Sequence, residues 1–321
     1  MAFSDIKGQD RAIEILKGSI RKERVAHAYL FTGDRGVGKY LTARTFANAL
    51  NCIHYGADNQ YDCCDKCPSC IKINKGAHPD VYEIGPENNQ IKVDMIRSLL
   101  ESFSLKAFEG KWKIALIDDA ELLNPSASNA FLKTLEEPPA MTLMILISSR
   151  PDMLLPTIRS RCQNIHFAPL PSHDVETILN DNGYNNVSLV SRLSGGRVGL
   201  ALEGISKEQR DEAFEKISLI LRGSENPLWE NRDDIEQWIE WSLLFLRDMA
   251  VAGFSHDNDL LINHDIAFEL RELAGNLTSQ DLSHLVDEMF RLKKLMRFYL
   301  NKQLTEFYIR SLIKKTLLNK I

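Results

Sequence analysis

The sequence has no long hydrophobic run. No stretch reaches the roughly 18 apolar residues that suggest a membrane span. The first twenty residues, Met1 to Ile20, mix charged and apolar residues at helical spacing and lack the uninterrupted apolar segment of a signal peptide. A cytoplasmic protein is expected. Excess positive charge is also missing: 39 Lys and Arg face 44 Asp and Glu, for a formal net charge of -5. Domains that live by gripping a phosphate backbone alone carry clustered excess cations, so any DNA contact is expected to be local or shared with partners. Internal repeats and low-complexity tracts are absent. The hydrophobic fraction of 44% and charged fraction of 26% are those of a globular chain, and they exclude a collagen-like or disordered one. At 321 residues, two or three domains are expected.

What is present has an order. Up to about Leu170, short apolar runs at residues 28–31, 81–84, 114–117, 143–147 and 164–167 alternate with helical patterns. That alternation predicts an α/β fold, a mainly parallel sheet covered by helices on both faces. One helix is well punctuated: Asn124 suits its N-cap, Pro125 its first turn, and Pro138-Pro139 stops it after Leu135-Glu136-Glu137. Beyond Pro169-Leu170-Pro171 the strand signals stop. A small helical segment leads to Ser194-Gly195-Gly196-Arg197, and from about Lys207 the pattern is helical throughout. Ile235, Trp238, Ile239, Leu246 and Met249 fit one helical face, and Leu285, Met289, Leu292, Met296 and Tyr299 fit another. Such stripes form the core of an ordinary bundle, or in part a face that packs on another subunit.

Gly33-Asp34-Arg35-Gly36-Val37-Gly38-Lys39 follows a predicted strand and opens a helix, the context in which a G-x-x-x-x-G-K pattern is meaningful. Gly33, Gly36 and Gly38 permit a tight loop of converging N–H groups, and Lys39 is placed to reach terminal phosphate oxygens. A working loop continues with Ser or Thr, whose hydroxyl ligates Mg²⁺; here Tyr40 follows. Thr42 is rotated by about 200° along the helix and should face elsewhere. The run Ile114-Ala115-Leu116-Ile117-Asp118-Asp119 ends a strand in two carboxylates, one for Mg²⁺ and one to polarise water. Asp119 is a methylene shorter than the Glu an active site of this kind needs. Whether ATP and Mg²⁺ still bind is left open by these residues.

Six cysteines occur, and Cys52, Cys64, Cys67 and Cys70 have the spacing of a tetrahedral Zn²⁺ site. Four thiolates close the coordination sphere, so the zinc would be structural and not catalytic. Disulfides are the competing reading, disfavoured in a cytoplasmic chain. Cys63 adjoins Cys64 and is read as the spare thiol, with an alternative role as ligand; Cys162 is read as a small packed residue.

These motifs, with His27-Ala28-Tyr29-Leu30-Phe31, the stretch Asn129 to Pro139 and Ser160-Arg161-Cys162, resemble the bacterial clamp-loader family, AAA+ subunits of the DNA polymerase III holoenzyme. The resemblance is strong to about residue 205. It implies an AAA+-type domain over 1–170 with a zinc-binding insertion at about 52–70, a helical lid over 171–206, and an all-α collar over 207–321 that holds a ring together. It implies a ring of three gamma/tau-type ATPase subunits with delta and delta-prime, which loads a sliding clamp on primer-template DNA. It also implies that Arg161 points across a subunit boundary at a neighbour's ATP, with Arg159 orienting the same surface. Gly199 stands where a motor subunit has its lid arginine, Arg197 lies two residues away, and Ser148 or Ser149 occupies the region of the first sensor. A damaged home site beside an intact Arg161, in a chain shorter than the motor subunits, fits a subunit without ATPase or polymerase activity of its own. The alternatives are an active ATPase motor of the same family and a zinc-containing nucleic-acid-binding module.

Overall fold

The computed structural model describes residues 1–54, 61–205, 207–221, 228–275, 277–296 and 300–317. The chain forms two compact units, Met1–Gly183 with Gly195–Glu203, and Tyr184–Ser194 with Gly204–Ile321, so residues 171–206 are divided between them.

The first unit is built on five parallel strands, β1 Ala28–Thr32, β2 Val81–Ile84, β3 Lys113–Ile117, β4 Thr142–Ser148 and β5 Gln163–His166, in the order β2-β3-β4-β1-β5. All five apolar runs read from the sequence become these strands. Every residue of β1, β3 and β4 is buried, so both faces of the sheet must be covered. The cover comes from α1 Asp10–Arg21, α2 Lys39–Asn51, α3 Pro68–Asn74, α4 Val93–Ser104, α5 Pro125–Glu136 and α6 Pro156–Arg159; α7 Ser172–Asp181 and α9 Val198–Glu203 pair with each other in the same unit, while α8 Val187–Ser194 belongs to the second. Alternation along each strand divides the core. Tyr29, Phe31, Ile145 and Ile147 pack with Phe3, Leu16 and Phe46 on one face; Leu30, Met144 and Leu146 pack with Ile96, Leu99 and Phe131 on the other. Each such side chain contributes about 1.5–3 kcal/mol on full burial. The helix α5 has the caps its sequence announces: Asn124 Oδ1 accepts from Ala127 N–H at 2.7 Å.

The second unit is all helical, with α8, α10 Lys207–Leu221, α11 Arg232–Phe254, α12 Ala267–Ala274, α13 Ser279–Met296 and α14 Lys302–Leu317. Ile235, Trp238, Ile239, Leu246 and Met249 are buried together with Leu285, Met289, Leu292 and Met296; Tyr299 lies outside the described residues. Arg210, 0% exposed, is neutralised by a two-pronged pair with Asp265 at 2.6 and 2.7 Å. Among the described residues no helix is long and apolar enough to cross a membrane.

One buried carboxylate organises the connection from α4 to β3. Asp80, 1% exposed, accepts from the N–H groups of Phe108, Glu109 and Gly110, each at 2.7 Å. Burial alone would raise its pKa, but these amides outweigh it and hold the group below the usual carboxylate range. A depressed carboxylate contributes stability that is fully present above its unfolded value of about 3.9 and is lost as pH falls through the folded value. Asp80→Asn should therefore lower the unfolding free energy by about 1–3 kcal/mol at neutral pH in urea denaturation. The gap to the parent chain should narrow below about pH 4; a gap of constant size down to acid would contradict the assignment.

Candidate functional site

Parallel strands deliver their connections to one edge, and here β1, β3 and β4 are followed by Gly33, Asp118 and Ser149. Gly33 has φ 140°, and a Cβ there would sit 2.2 Å from the Phe167 carbonyl oxygen, so no side chain fits. The loop then turns into α2 through Gly36 and Gly38, both at positive φ. Lys39 is 6% exposed, and its ammonium donates to the loop's own carbonyls, Gly33 O and Asp34 O, each at 2.7 Å. Burial lowers its pKa against the opposing pull of Asp118, Glu121, Asp119 and Asp34.

Tyr40 occupies the position at which a phosphate loop needs a short hydroxyl. Its phenol oxygen accepts from Arg44 at 3.0 Å, the Arg44 guanidinium lies 5.0 Å from the ring centre, and Arg44 also grips both Glu83 carboxylate oxygens at 3.1 Å. Burial, then the Glu83 carboxylate, push the phenol up to about 12. The hydroxyl is thus neutral and committed to a side-chain network. Thr42 does face elsewhere: it is fully buried and its Oγ1 donates back to Gly38 O at 2.9 Å.

On the opposite side of the cavity, burial and then the charge of Asp119 raise the Asp118 pKa. Asp119 takes a left-handed conformation, φ 46° and ψ 48°, at the start of a 3-10 turn, Ala120–Leu122. That turn brings in Glu121, which sequence reasoning missed. Its side chain is 2% exposed and accepts from Ser149 Oγ at 2.7 Å and Ser149 N at 3.3 Å. Burial would raise its pKa, but hydrogen bonds from Ser148 and Ser149 hold it net below the usual range. The only sequence signal for it was one more acid, two residues past Asp119. Ser149, in the region expected for a sensor, is therefore engaged by a carboxylate.

The cavity measures about 510 Å³, and Lys39, Tyr40, Asp118, Asp119, Ser149 and Gly199 are among the residues that line it. Gly199, near the start of α9, donates its N–H to Gly36 O at 2.7 Å, and a Cβ on it would stand 2.8 Å from Gly36 Cα. The glycine expected in place of a lid arginine thus lies directly on the loop between β1 and α2. The structure brings Gly33, Gly36, Gly38, Lys39, Asp118 and Asp119 to one edge of the sheet.

Arg161 lies after α6, with its side chain 34% exposed. Its NH1 donates to Thr157 O at 2.9 Å and Ser160 Oγ at 3.4 Å, and its NH2 to Glu136 Oε1 at 2.7 Å. Arg159 is exposed. Cys162 packs beside the core, and burial pushes its thiol up to about 12.

The third group lies at the end of α2. The Sγ atoms of Cys52, Cys64, Cys67 and Cys70 all lie within 4.8 Å of one another, close to the ~3.8 Å sulfur separation of a tetrahedral Zn–S₄ site. Backbone N–H groups of Cys64, Cys67 and Cys70 point at the sulfurs of Cys52, Cys64 and Cys67 at 3.4, 3.3 and 3.5 Å, the arrangement that stabilises thiolates. Cys63 instead directs its thiol to Met1 O at 3.3 Å. Part of the insertion, residues 55–60, lies outside the described residues.

The sequence profile of the family described as DNA polymerase III, delta subunit, matches residues 8–171. DNA polymerase III subunit delta' of Pseudomonas aeruginosa is 34% identical over 69% of this chain and 72% of its own length. The chain belongs to the DNA polymerase III delta-prime clamp-loader family. The delta-prime subunit of Bacillus subtilis is 29% identical over 92% of this chain and 93% of its own length, so the family likeness runs through both units. The tau/gamma subunit of Haemophilus influenzae is 39% identical over 52% of this chain but only 24% of its own length. In fold, the delta-prime family chain is similar to a DNA polymerase III gamma subunit-related protein of Thermotoga maritima, with TM-score 0.51, 20% identity and coverage of 94% and 98% of the two chains.

Proposed function

We propose that this chain is the non-hydrolysing stator of a clamp loader, which offers Arg161 to ATP held by a neighbouring subunit while its own nucleotide site does no chemistry. The observation that carries the reading is the Tyr40–Arg44–Glu83 network in the place of a magnesium-binding hydroxyl. Without that hydroxyl a Mg²⁺ ion loses a ligand between the loop and the phosphates, and Asp119, one methylene short, sets the attacking water back. A displacement of about 1 Å costs on the order of 100-fold. Lys39 is already bonded to Gly33 and Asp34, and Gly199 brings no cation to the cavity.

Arg161 offers the complement. Its guanidinium is near the surface, and its ion pair with Glu136 is of the partly exposed kind that contributes about 0–1 kcal/mol. Set against a γ-phosphoryl group in transfer, it would stabilise the charge developing on the equatorial oxygens. Arg161 then acts in trans, and the neighbour supplies nucleotide, metal and water.

The partners in this reading are gamma/tau-type ATPase subunits and the delta subunit, with the sliding clamp and primer-template DNA reached through the complex. Residues 171–206 serve as the lid and 207–321 as the collar. Leu304, Phe307 and Tyr308 on α14 are 70, 71 and 42% exposed at i, i+3 and i+4 spacing, a stripe suited to helix packing within a ring. Zn²⁺ held by Cys52, Cys64, Cys67 and Cys70 would be structural, since four thiolates leave no open position. It would tie the end of α2 to α3 in a region already framed by Asp62, which accepts from Phe3 N–H at 2.9 Å and Ser4 N–H at 3.2 Å.

In a reconstituted loader, Arg161→Ala should leave ring assembly intact by size-exclusion chromatography while DNA-stimulated ATP hydrolysis and clamp loading fall, by about 10³-fold or more at the one site it faces. Rates equal to those of the parent complex would refute the role of Arg161. Metal analysis of the purified chain should give one zinc per molecule, lost in Cys70→Ser and kept in Cys63→Ser; loss in the second variant would make Cys63 a ligand.

A further inference from the structure

Glu136 ends α5, and the Pro138-Pro139 stop fixes where that helix presents it. Its Oε1 takes one N–H from Arg161 NH2 at 2.7 Å, while Thr157 O and Ser160 Oγ take NH1. The Nε–H of Arg161 meets no acceptor among the described residues. Glu136 therefore holds the guanidinium by a single oxygen and not by a two-pronged fork. A fork would occupy the edge a phosphate needs; a single contact steers the group and leaves that edge open.

We propose that Glu136 is the positioning residue for Arg161, fixing the guanidinium in one orientation before a neighbouring subunit's nucleotide meets it. The proposal rests on the trans-acting role of Arg161 given above. An arginine side chain has large rotamer freedom, and ordering it in advance removes that cost from the step in which phosphoryl charge develops. Thr157 and Ser160 give neutral acceptors on the short segment that carries Arg161 itself. Glu136 is the charged contact, and it comes from a different element, 25 residues away. That element, α5, begins just past the acidic turn of the chain's own nucleotide site.

The test is the DNA-stimulated ATPase of the reconstituted loader containing Glu136→Ala, Glu136→Gln, Arg161→Ala, or Glu136→Ala with Arg161→Ala. Glu136→Ala should lower kcat by about 3- to 30-fold with KM for ATP unchanged. Glu136→Gln, whose amide oxygen still accepts from NH2, should recover most of the loss. The double variant should be no slower than Arg161→Ala alone, because Glu136 acts only through Arg161. Parental or faster turnover in Glu136→Ala, with Arg161→Ala still slow, would overturn the positioning role and leave the role of Arg161 standing. An additive loss in the double variant would also overturn it. Parental turnover in Arg161→Ala would remove the underlying reading instead.

Discussion

A nearly buried ammonium must find acceptors, and in this chain Lys39 finds them in the loop that precedes it, at Gly33 and Asp34. Those bonds close the loop between β1 and α2, and neighbouring segments pack closely on the closed form. Gly33 lies too near Phe167 to accept a side chain, and Gly36 receives the N–H of Gly199. The charges of Asp118 and Glu121 offset part of the desolvation of Lys39. The loop keeps this shape with Tyr40 after Lys39, because its geometry depends on glycine conformations and on Lys39 and not on a hydroxyl at the next position.

The same economy appears at the other polar sites of this unit. Asp80 fixes a connecting loop by accepting three amides, and Glu121 settles against Ser149. The cysteine quartet sits on a frame made by Asp62 and the first residues of the chain. In each case a buried or half-buried group is matched to N–H or O–H donors from a distant segment, which is what keeps an ionised carboxylate affordable away from water. Arg161 differs: its side chain is 34% exposed, and its ion pair with Glu136 is of the near-surface kind that contributes little to stability.

Elements defined by local chemistry were legible in the sequence. The five strands announced themselves as apolar runs, and α5 by Asn124, Pro125 and Pro138. The turn of Thr42 away from the position of Tyr40 followed from helical rotation, and the cysteine quartet from its spacing, while the contact of Cys63 with Met1 came only from the fold. The family likeness likewise rested on short contiguous motifs. What stayed hidden depends on contacts between residues far apart in the chain. Glu121 meets Ser149 across 28 positions, Asp80 meets the loop at 108–110 across about as many, and Glu136 meets Arg161 across 25. No periodicity or spacing rule encodes such pairings, and Glu136 reads in sequence as one of two acids before a helix stop. Gly199 was noticed as a missing arginine, but its seat on Gly36 required the fold.

The central claim is that the home nucleotide site has lost its chemistry while Arg161 keeps a role elsewhere. The most direct measurement is steady-state ATP hydrolysis by the purified chain alone, with Mg²⁺ present, beside its Lys39→Ala variant. The expected result is no turnover in either protein above the background of buffer. Sustained hydrolysis by the parent chain that disappears in Lys39→Ala would contradict the claim.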